Sequence, residues 1–228
     1  MSSSPEQEAG PDVRGRRAPV AGRPSSFLLL LAGLPAVLFA LITWQVVADG
    51  PLVGLDERVS RALVHPDGAS EFLADLGNVQ VAVPVLLVAV AYAAHRGRAS
   101  GAGRWWLPPA AAAVLMALVP ALIIPLKILT ARPGTPVVAP GTGYYPSGHT
   151  ATAAIAYGAA VLLLLPRLRA RSARCALVAG CLVLVLGVSF GLVRRGYHWP
   201  LDVVASWCLC GVLLVALRWV IGRTAPRQ

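Results

Sequence analysis

Two short polar segments carry most of the residues that could do chemistry in this largely apolar chain. One is the P-S-G-H tetrapeptide at residues 146–149, and the other is the segment 194–202, which contains His198 and Asp202. Each segment lies where a long apolar run begins or ends. Ionisable side chains at such positions are costly to bury unless they are paired or solvated, so they are candidates for function.

The first segment has the features of an anion site. Ser147, Gly148 and His149 open a predicted helix, whose first N–H groups lack intrahelical partners and lie at the positive end of the helix dipole. Gly148 lets the backbone approach a phosphate closely because it has no side chain. Lys127 and Arg132 add positive charge, and the arginine fork suits phosphate oxygens. Together these residues predict a phosphate-binding site.

The second segment predicts a histidine nucleophile. Pro200 fits the first turn of a helix, which places Asp202 in that same turn, where negative charge is favoured. Asp202 follows His198 by four residues and can hydrogen-bond one imidazole nitrogen. The other nitrogen is then free to attack phosphorus, by the logic of a Ser-His-Asp triad. His149 can supply the proton that the leaving oxygen needs.

Each of these residues also has a structural interpretation. Ser147 is a good helix cap, and Arg195 and Tyr197 suit the headgroup region of a bilayer. Tyr144 and Tyr145 fit interfacial packing better than catalysis. The combination favours function, because all parts occur together on one predicted face of the membrane.

Composition indicates the elements that must position these residues. The chain has 228 residues, of which 57% are hydrophobic, and a mean hydropathy of +0.68. A soluble domain of this length could not bury that much apolar surface. The net charge of +10 is concentrated in short arginine clusters between apolar runs, which favours a membrane protein over a nucleic-acid binder. Six runs approach the roughly 20 residues that span a bilayer. They predict an all-α, integral membrane bundle of six transmembrane helices, at residues 27–47, 78–94, 107–126, 147–165, 175–193 and 201–221.

Arginine positions predict the topology. The basic N-terminus, the loops at 95–104 and 166–174, and the C-terminus fall on one side of six spans, and this side is cytoplasmic by the positive-inside rule. We therefore expect a plasma (inner) membrane protein with cytoplasmic termini and an extracytoplasmic site among the outer ends of the last four helices. Residues 1–25 are predicted to be a disordered cytoplasmic tail, 26–222 the membrane domain and 223–228 a second cytoplasmic tail. A small-residue site ending at Ala48 leaves cleavage of the first run as an alternative.

The outer segment 48–77 contains a predicted amphipathic helix. Leu55, Val59 and Leu63 recur on one helical face. Such a helix suits the surface of the membrane, with its apolar face toward lipid.

The polar constellation resembles the type 2 phosphatidic acid phosphatase superfamily, which includes bacterial lipid phosphatases and vanadium haloperoxidases. That family shows three motifs, K-x6-R-P, P-S-G-H and S-R-x5-H-x3-D. The second is intact at 146–149, and the H-x3-D of the third is present as His198 and Asp202. The resemblance implies that residues 26–222 are a phosphatase domain in which His198 is the nucleophile, Asp202 orients it and His149 is the acid. Lys127, the Ser147 hydroxyl and the Gly148 N–H would hold phosphate.

Two arginines of the family pattern are displaced. Gly134 stands where the first motif expects arginine, and Leu192 where the third does. We expect Arg132 to substitute for the first, and Arg194 or Arg195 for the second. A weaker phosphate clamp or a changed substrate is equally compatible with this pattern.

These observations predict a lipid phosphatase that hydrolyses a phosphate monoester or diphosphate through a phosphohistidine. Polyprenyl diphosphate, phosphatidic acid and phosphatidylglycerol phosphate are all open as substrates. The alternatives are a non-catalytic lipid-phosphate binder or transporter and, third, a structural membrane protein. We expect no metal, cofactor or nucleic acid, since no residues show metal-ligand spacing and the cysteines suit buried apolar thiols; the expected partners are the bilayer and the lipid substrate. The sequence does not indicate the oligomeric state.

Overall fold

The computed structural model describes residues 26–101 and 103–224, which form eight α-helices, with a long loop at 131–147 between the fifth and the sixth. Six of these helices are long and apolar enough to cross a membrane, as the sequence predicts. The predicted N-terminal tail and residues 225–228 lie outside the described residues. The helices are α1 (Ser26–Val47), α2 (Pro51–Leu63), α3 (Gly68–Asp75), α4 (Val79–Ala99), α5 (Leu107–Thr130), α6 (Gly148–Leu164), α7 (Arg171–Arg194) and α8 (Pro200–Thr224).

Several helices extend beyond the apolar runs that predicted them. α4 continues to Ala99, so His95 is helical although a loop was expected, and α8 includes Arg223 of the predicted C-terminal tail. α5 continues to Thr130, which places Lys127 in its last turn. Hydropathy falls at the first charged residue, whereas the backbone hydrogen bonds continue past it, because long basic side chains reach water from a helix end and interact favourably with its dipole.

α6 forms the centre of the bundle. It packs against α4, α5, α7 and α8, while α1 packs on α8. Most of its side chains between Thr150 and Leu163 are buried, and many are alanine. Small residues let neighbouring helices approach closely, and such packing holds helices together in a membrane where the hydrophobic effect between them is weak. The core helix therefore holds its N-terminal tetrapeptide in a fixed place.

The segment before α4 folds into α2 and α3. On α2 the predicted apolar face is present: Leu55, Val59 and Leu63 are exposed, whereas Asp56 and Ser60 on the adjacent stripe of the helix are buried. This arrangement suits a helix with its apolar face toward lipid and its Asp56–Ser60 stripe toward the protein. α3 packs along α7.

Contact between α3 and α7 requires a glycine at position 191. A Cβ atom there would lie 2.7 Å from the backbone nitrogen of Ala74 and 2.7 Å from the carbonyl oxygen of Ser70. Backbone cannot yield as a flexible side chain does, so we expect Gly191→Ala to lower the free energy of unfolding by about 1–3 kcal/mol. Denaturation in detergent measures this change.

Gly180→Ala is the matched control on the same helix. A Cβ atom at position 180 meets nothing within 4 Å, and alanine is the better helix former. We expect this variant to be as stable as wild type or more so. Equal stability of the two variants would contradict the close approach of α3 to α7.

Candidate active site

The C-terminus of α7 turns the chain into the segment that holds His198. The N–H of Gly196 donates to the carbonyl of Val193, and the N–H of Tyr197 donates to that of Leu192, both at 2.9 Å. Gly196 has a φ of 75°, which a glycine adopts without strain. This pair of bonds is a Schellman motif, and it ends α7 at Arg194, four residues before the histidine.

His198 and Asp202 lie together, both buried. Nδ1 of His198 is 3.2 Å from Oδ2 of Asp202, and the N–H of Trp199 donates to the same oxygen at 3.2 Å. A carboxylate oxygen accepts, so this contact suits an imidazole that donates through Nδ1, the tautomer whose Nε2 carries the lone pair.

Ser147 caps α6 and joins it to α8. Its hydroxyl accepts from the N–H of Thr150 at 3.3 Å, and its own N–H donates to the carbonyl of Asp202 at 3.1 Å. The hydroxyl of Ser206 donates to the Ser147 carbonyl at 2.8 Å. The Ser147 side chain is fully buried, and its hydroxyl, expected on phosphate, makes a capping contact that leaves its own O–H as a donor.

A cavity of about 940 Å³ joins the remaining polar residues. Lys127, Gly148, His149 and His198 all line it, together with residues 141–144. The expected position among the last four helices is wrong in part, since α4 forms one wall. The apolar lining comes mainly from α4 and α5 and includes Val83, Leu86, Leu87, Val90, Met116, Val119, Ile123 and Ile124.

Lys127 presents its ammonium group to this cavity. Nζ donates to the carbonyl of Gly143 at 2.7 Å and to that of Tyr144 at 3.4 Å. The two carbonyls hold the Lys127 side chain beside the loop that joins α5 to α6. Because an ammonium carries three N–H donors, one remains for an anion.

Arg132 does not line the cavity. Its guanidinium donates through Nη1 to Asp202 and through Nη2 to Asp56, each at 2.6 Å, and its side chain is 5% exposed. The arginine expected on phosphate is thus ion-paired with two carboxylates. Burial raises the pKa of Asp56, and the bonds from Arg132 and the Leu201 N–H act in the opposite direction.

Arg194 and Arg195 lie beside α3, outside the cavity lining. Arg194 pairs with Asp67 at 2.8 Å, and Arg195 with Glu71 at 3.6 Å. The backbone N–H of Ser70, followed by Arg194, lowers the pKa of Asp67 to about 2. The two arginines thus connect the end of α7 to α3 through ion pairs. The sequence predicted a phosphate contact for one of them and did not predict these pairs.

Two site residues escaped the sequence reasoning. Tyr144, expected in interfacial packing, lines the cavity, and its ring meets that of His198 edge-on with centroids 6.1 Å apart. Asp56 was only one of several acidic residues in the outer segment, with no motif to mark it. Within the described residues, no group of three or more His, Cys, Asp or Glu is arranged to hold a metal ion.

Gly148 offers a test that separates ligand binding from folding. A Cβ atom at this position would meet only Ile123, at 4.0 Å, yet it would project where an anion approaches the N–H groups of α6. We expect Gly148→Ala to keep the wild-type melting temperature and to raise KM for a phosphate substrate roughly 10-fold, the effect of losing one charge-assisted hydrogen bond. Unchanged kinetics would place the anion elsewhere.

Comparison with known proteins supports the architecture. A model of the PAP2 superfamily matches residues 108–225, just over half of the chain. The fold is similar to a crystal structure described as the first transmembrane PAP2 type phosphatidylglycerolphosphate phosphatase from Bacillus subtilis, with a TM-score of 0.66 and 22% identity. The match covers 85% of this chain and 98% of that one. No protein with a curated function matches the chain.

Proposed function

The chain belongs to the PAP2 superfamily, and from that premise we propose that it is a membrane lipid phosphatase using a phosphohistidine intermediate and no metal ion. The observation that carries the proposal is the cavity that places His149, His198 and Lys127 at one end of an apolar groove. Neither a soluble substrate nor a purely structural role explains that combination. The apolar groove accounts for a lipid substrate, and the two histidines account for hydrolysis of its phosphate.

The first chemical step forms the phosphohistidine. Nε2 of His198 attacks phosphorus, while Asp202 accepts a hydrogen bond from Nδ1–H and stabilises the positive charge that develops on the ring. The bond from phosphorus to the lipid oxygen breaks, and protonated His149 gives that oxygen its proton. Lys127 and the free N–H groups of α6 stabilise the charge on the transferring phosphoryl oxygens.

The second step releases phosphate. His149, now neutral, takes a proton from water, and the water oxygen attacks phosphorus. The bond between phosphorus and Nε2 breaks, and its electron pair returns to His198. Both histidines then regain their starting states, so one pair of side chains supports the full cycle.

The groove between α4 and α5 suits the tail of a lipid. The part of α5 that lines it, from Ala113 to Lys127, rises about 20 Å at 1.5 Å per residue, roughly two-thirds of the hydrocarbon thickness of a bilayer. A substrate can therefore enter sideways with its tail in the groove and its phosphate at the histidines. Lipid monophosphates and diphosphates both fit this description.

Orientation follows from the arginine distribution. The site lies at the end of the bundle opposite the arginines of the loops at 95–104 and 166–174. With those loops cytoplasmic, as the positive-inside rule requires, the histidines face the extracytoplasmic side. We propose the plasma membrane as its location, with this orientation.

Phosphate release by purified protein tests the proposal. The protein in detergent with EDTA is offered polyprenyl diphosphate, phosphatidic acid and phosphatidylglycerol phosphate in parallel, beside Gly180→Ala as a variant control. We expect EDTA-resistant release from at least one lipid, and the preferred lipid identifies the substrate.

The rival function is a lipid-phosphate binder or transporter. The observation that favours it is the ion pairing of Arg132 with Asp56 and Asp202, which removes one expected cation from the phosphate site. Saturable binding of a lipid phosphate by folded protein, with no phosphate release, would support this rival and reject the phosphatase.

A further inference from the structure

A buried chain of charged groups runs from α2 to the proposed nucleophile. Asp56 binds Arg132, Arg132 binds Asp202, and Asp202 binds His198. Asp56 and Asp202 are 3% and 0% exposed, so solvent does not compete for these bonds. Asp56 lies outside residues 108–225, the region that the family model matches.

We propose that Asp56 is a positioning residue for catalysis, which acts on His198 through Arg132 and Asp202. This inference rests on the proposed phosphatase function. Asp56 touches neither the cavity nor the reacting atoms, and its effect passes through the guanidinium.

The fork of Arg132 explains how the effect passes. Its two terminal nitrogens bind different carboxylates at equal 2.6 Å distances, which fixes the plane of the guanidinium. That plane in turn holds Oδ1 of Asp202, so that Oδ2 is presented to His198 and to the N–H of Trp199. Loss of Asp56 would free one end of the fork and let the Asp202 carboxylate rotate away from the imidazole.

Asp56 and Asp202 share the positive charge of Arg132, and this affects the charge that Asp202 presents to His198. With Asp56 present, two carboxylates divide the charge of Arg132, so Asp202 keeps more negative charge for His198. The ring becomes positive when Nε2 bonds to phosphorus, and this negative charge stabilises it. Asp56 therefore favours the transition state more than the bound substrate.

Only a carboxylate satisfies the contacts of Asp56. Oδ2 accepts from Arg132, and Oδ1 accepts from the N–H of Leu201 at 2.8 Å, so both neighbours are donors. Asparagine has one acceptor oxygen and an NH₂ group, which would meet one of these donors. The Leu201 bond also anchors the first turn of α8, the turn that carries Asp202.

Asp56→Asn is the test, with Glu57→Gln as its matched control. Glu57 is the next residue on α2, half-exposed, and its acidic oxygen lies 3.8 Å from Arg61. We expect Asp56→Asn to lower kcat roughly 10- to 100-fold, the size of effect that loss of an outer hydrogen-bond partner has on metal-bound histidines, with KM changed less than about 3-fold because bound substrate is little affected. Glu57→Gln is expected to behave as wild type.

A double variant separates positioning from general stability. In an Asp202→Asn background, we expect Asp56→Asn to change the residual rate less than about 2-fold, because residues that act as one unit are non-additive. A full additional loss there, or a wild-type kcat in the single variant, would overturn the proposal. Activity lost only in proportion to unfolded protein would also overturn it.

Two further measurements keep the result decisive. If Asp56→Asn does not fold, Asp56→Ser removes the charge without setting an NH₂ against a donor, and failure of both to fold assigns Asp56 a purely structural role. Proton NMR of histidine-labelled protein follows the Nδ1–H of His198, which we expect to move upfield in the variant as its bond to Asp202 weakens. If wild type hydrolyses no lipid, the phosphatase fails, while this signal still confirms or rejects the chain from Asp56.

Discussion

Replacement of His198 by alanine is expected to lower phosphate release at least about 10⁴-fold, since the nucleophile and its bond to Asp202 are lost together. Wild-type protein stopped in acid-free quench should carry a base-stable, acid-labile phosphoryl group, and the variant should carry none. Radiolabelled lipid phosphate measures both quantities in one experiment. The His198 side chain lies beside the cavity rather than in the helix core, so the variant is expected to fold.

His65→Ala is the matched control for this loss. His65 is exposed between α2 and α3 and lies outside the cavity lining, so its removal should leave both release and labelling unchanged. Substantial turnover by the His198 variant would mean that another group attacks phosphorus. Labelling that persists in the variant would point to His149 instead.

The second large effect is expected at Arg132, and it concerns stability. Arg132→Ala leaves Asp56 and Asp202 buried without their shared cation, and breaking a buried ion pair in this way costs about 3–5 kcal/mol. We expect a large fall in melting temperature in detergent. Lysine should restore only part of the loss, because an ammonium is a point charge and does not reproduce the two-ended fork.

Arg195→Ala is the contrasting control. Arg195 pairs with Glu71 at 3.6 Å near the surface, where such pairs contribute about 0–1 kcal/mol. Its loss should barely change the melting temperature. A stable Arg132 variant with a raised KM would contradict the ion-pair assignment and return Arg132 to the phosphate site.

Residue type and spacing predicted the contacts between residues that are close along the chain. Asp202 follows His198 by four residues, and the structure contains their hydrogen bond. Ser147 precedes a helix and caps it, the alternative that its residue type indicated. Such contacts depend on local backbone geometry, which the residues themselves favour.

The partners of the arginines could not be predicted from residue type and spacing. Arg132 was expected on phosphate because it is followed by proline and lies near the motif position, yet its partner Asp56 is 76 residues away. Arg194 likewise pairs with Asp67, at a separation of 127 residues. Residue type shows that an arginine needs an anion, and it does not show whether a ligand or a carboxylate of the chain provides it.

The sequence by itself determined the membrane class, the six spans, the capped start of α6 and the pairing of His198 with Asp202. Hydropathy decides the first two, because a bilayer excludes charge over a fixed thickness; residue type decides the cap, and the four-residue spacing decides the pairing. Only the tertiary structure decided that α4 lines the cavity, that Tyr144 faces His198 and that Asp56 holds Arg132. These contacts join segments far apart in the chain, and they depend on how closely the helices pack around α6, which no local pattern records.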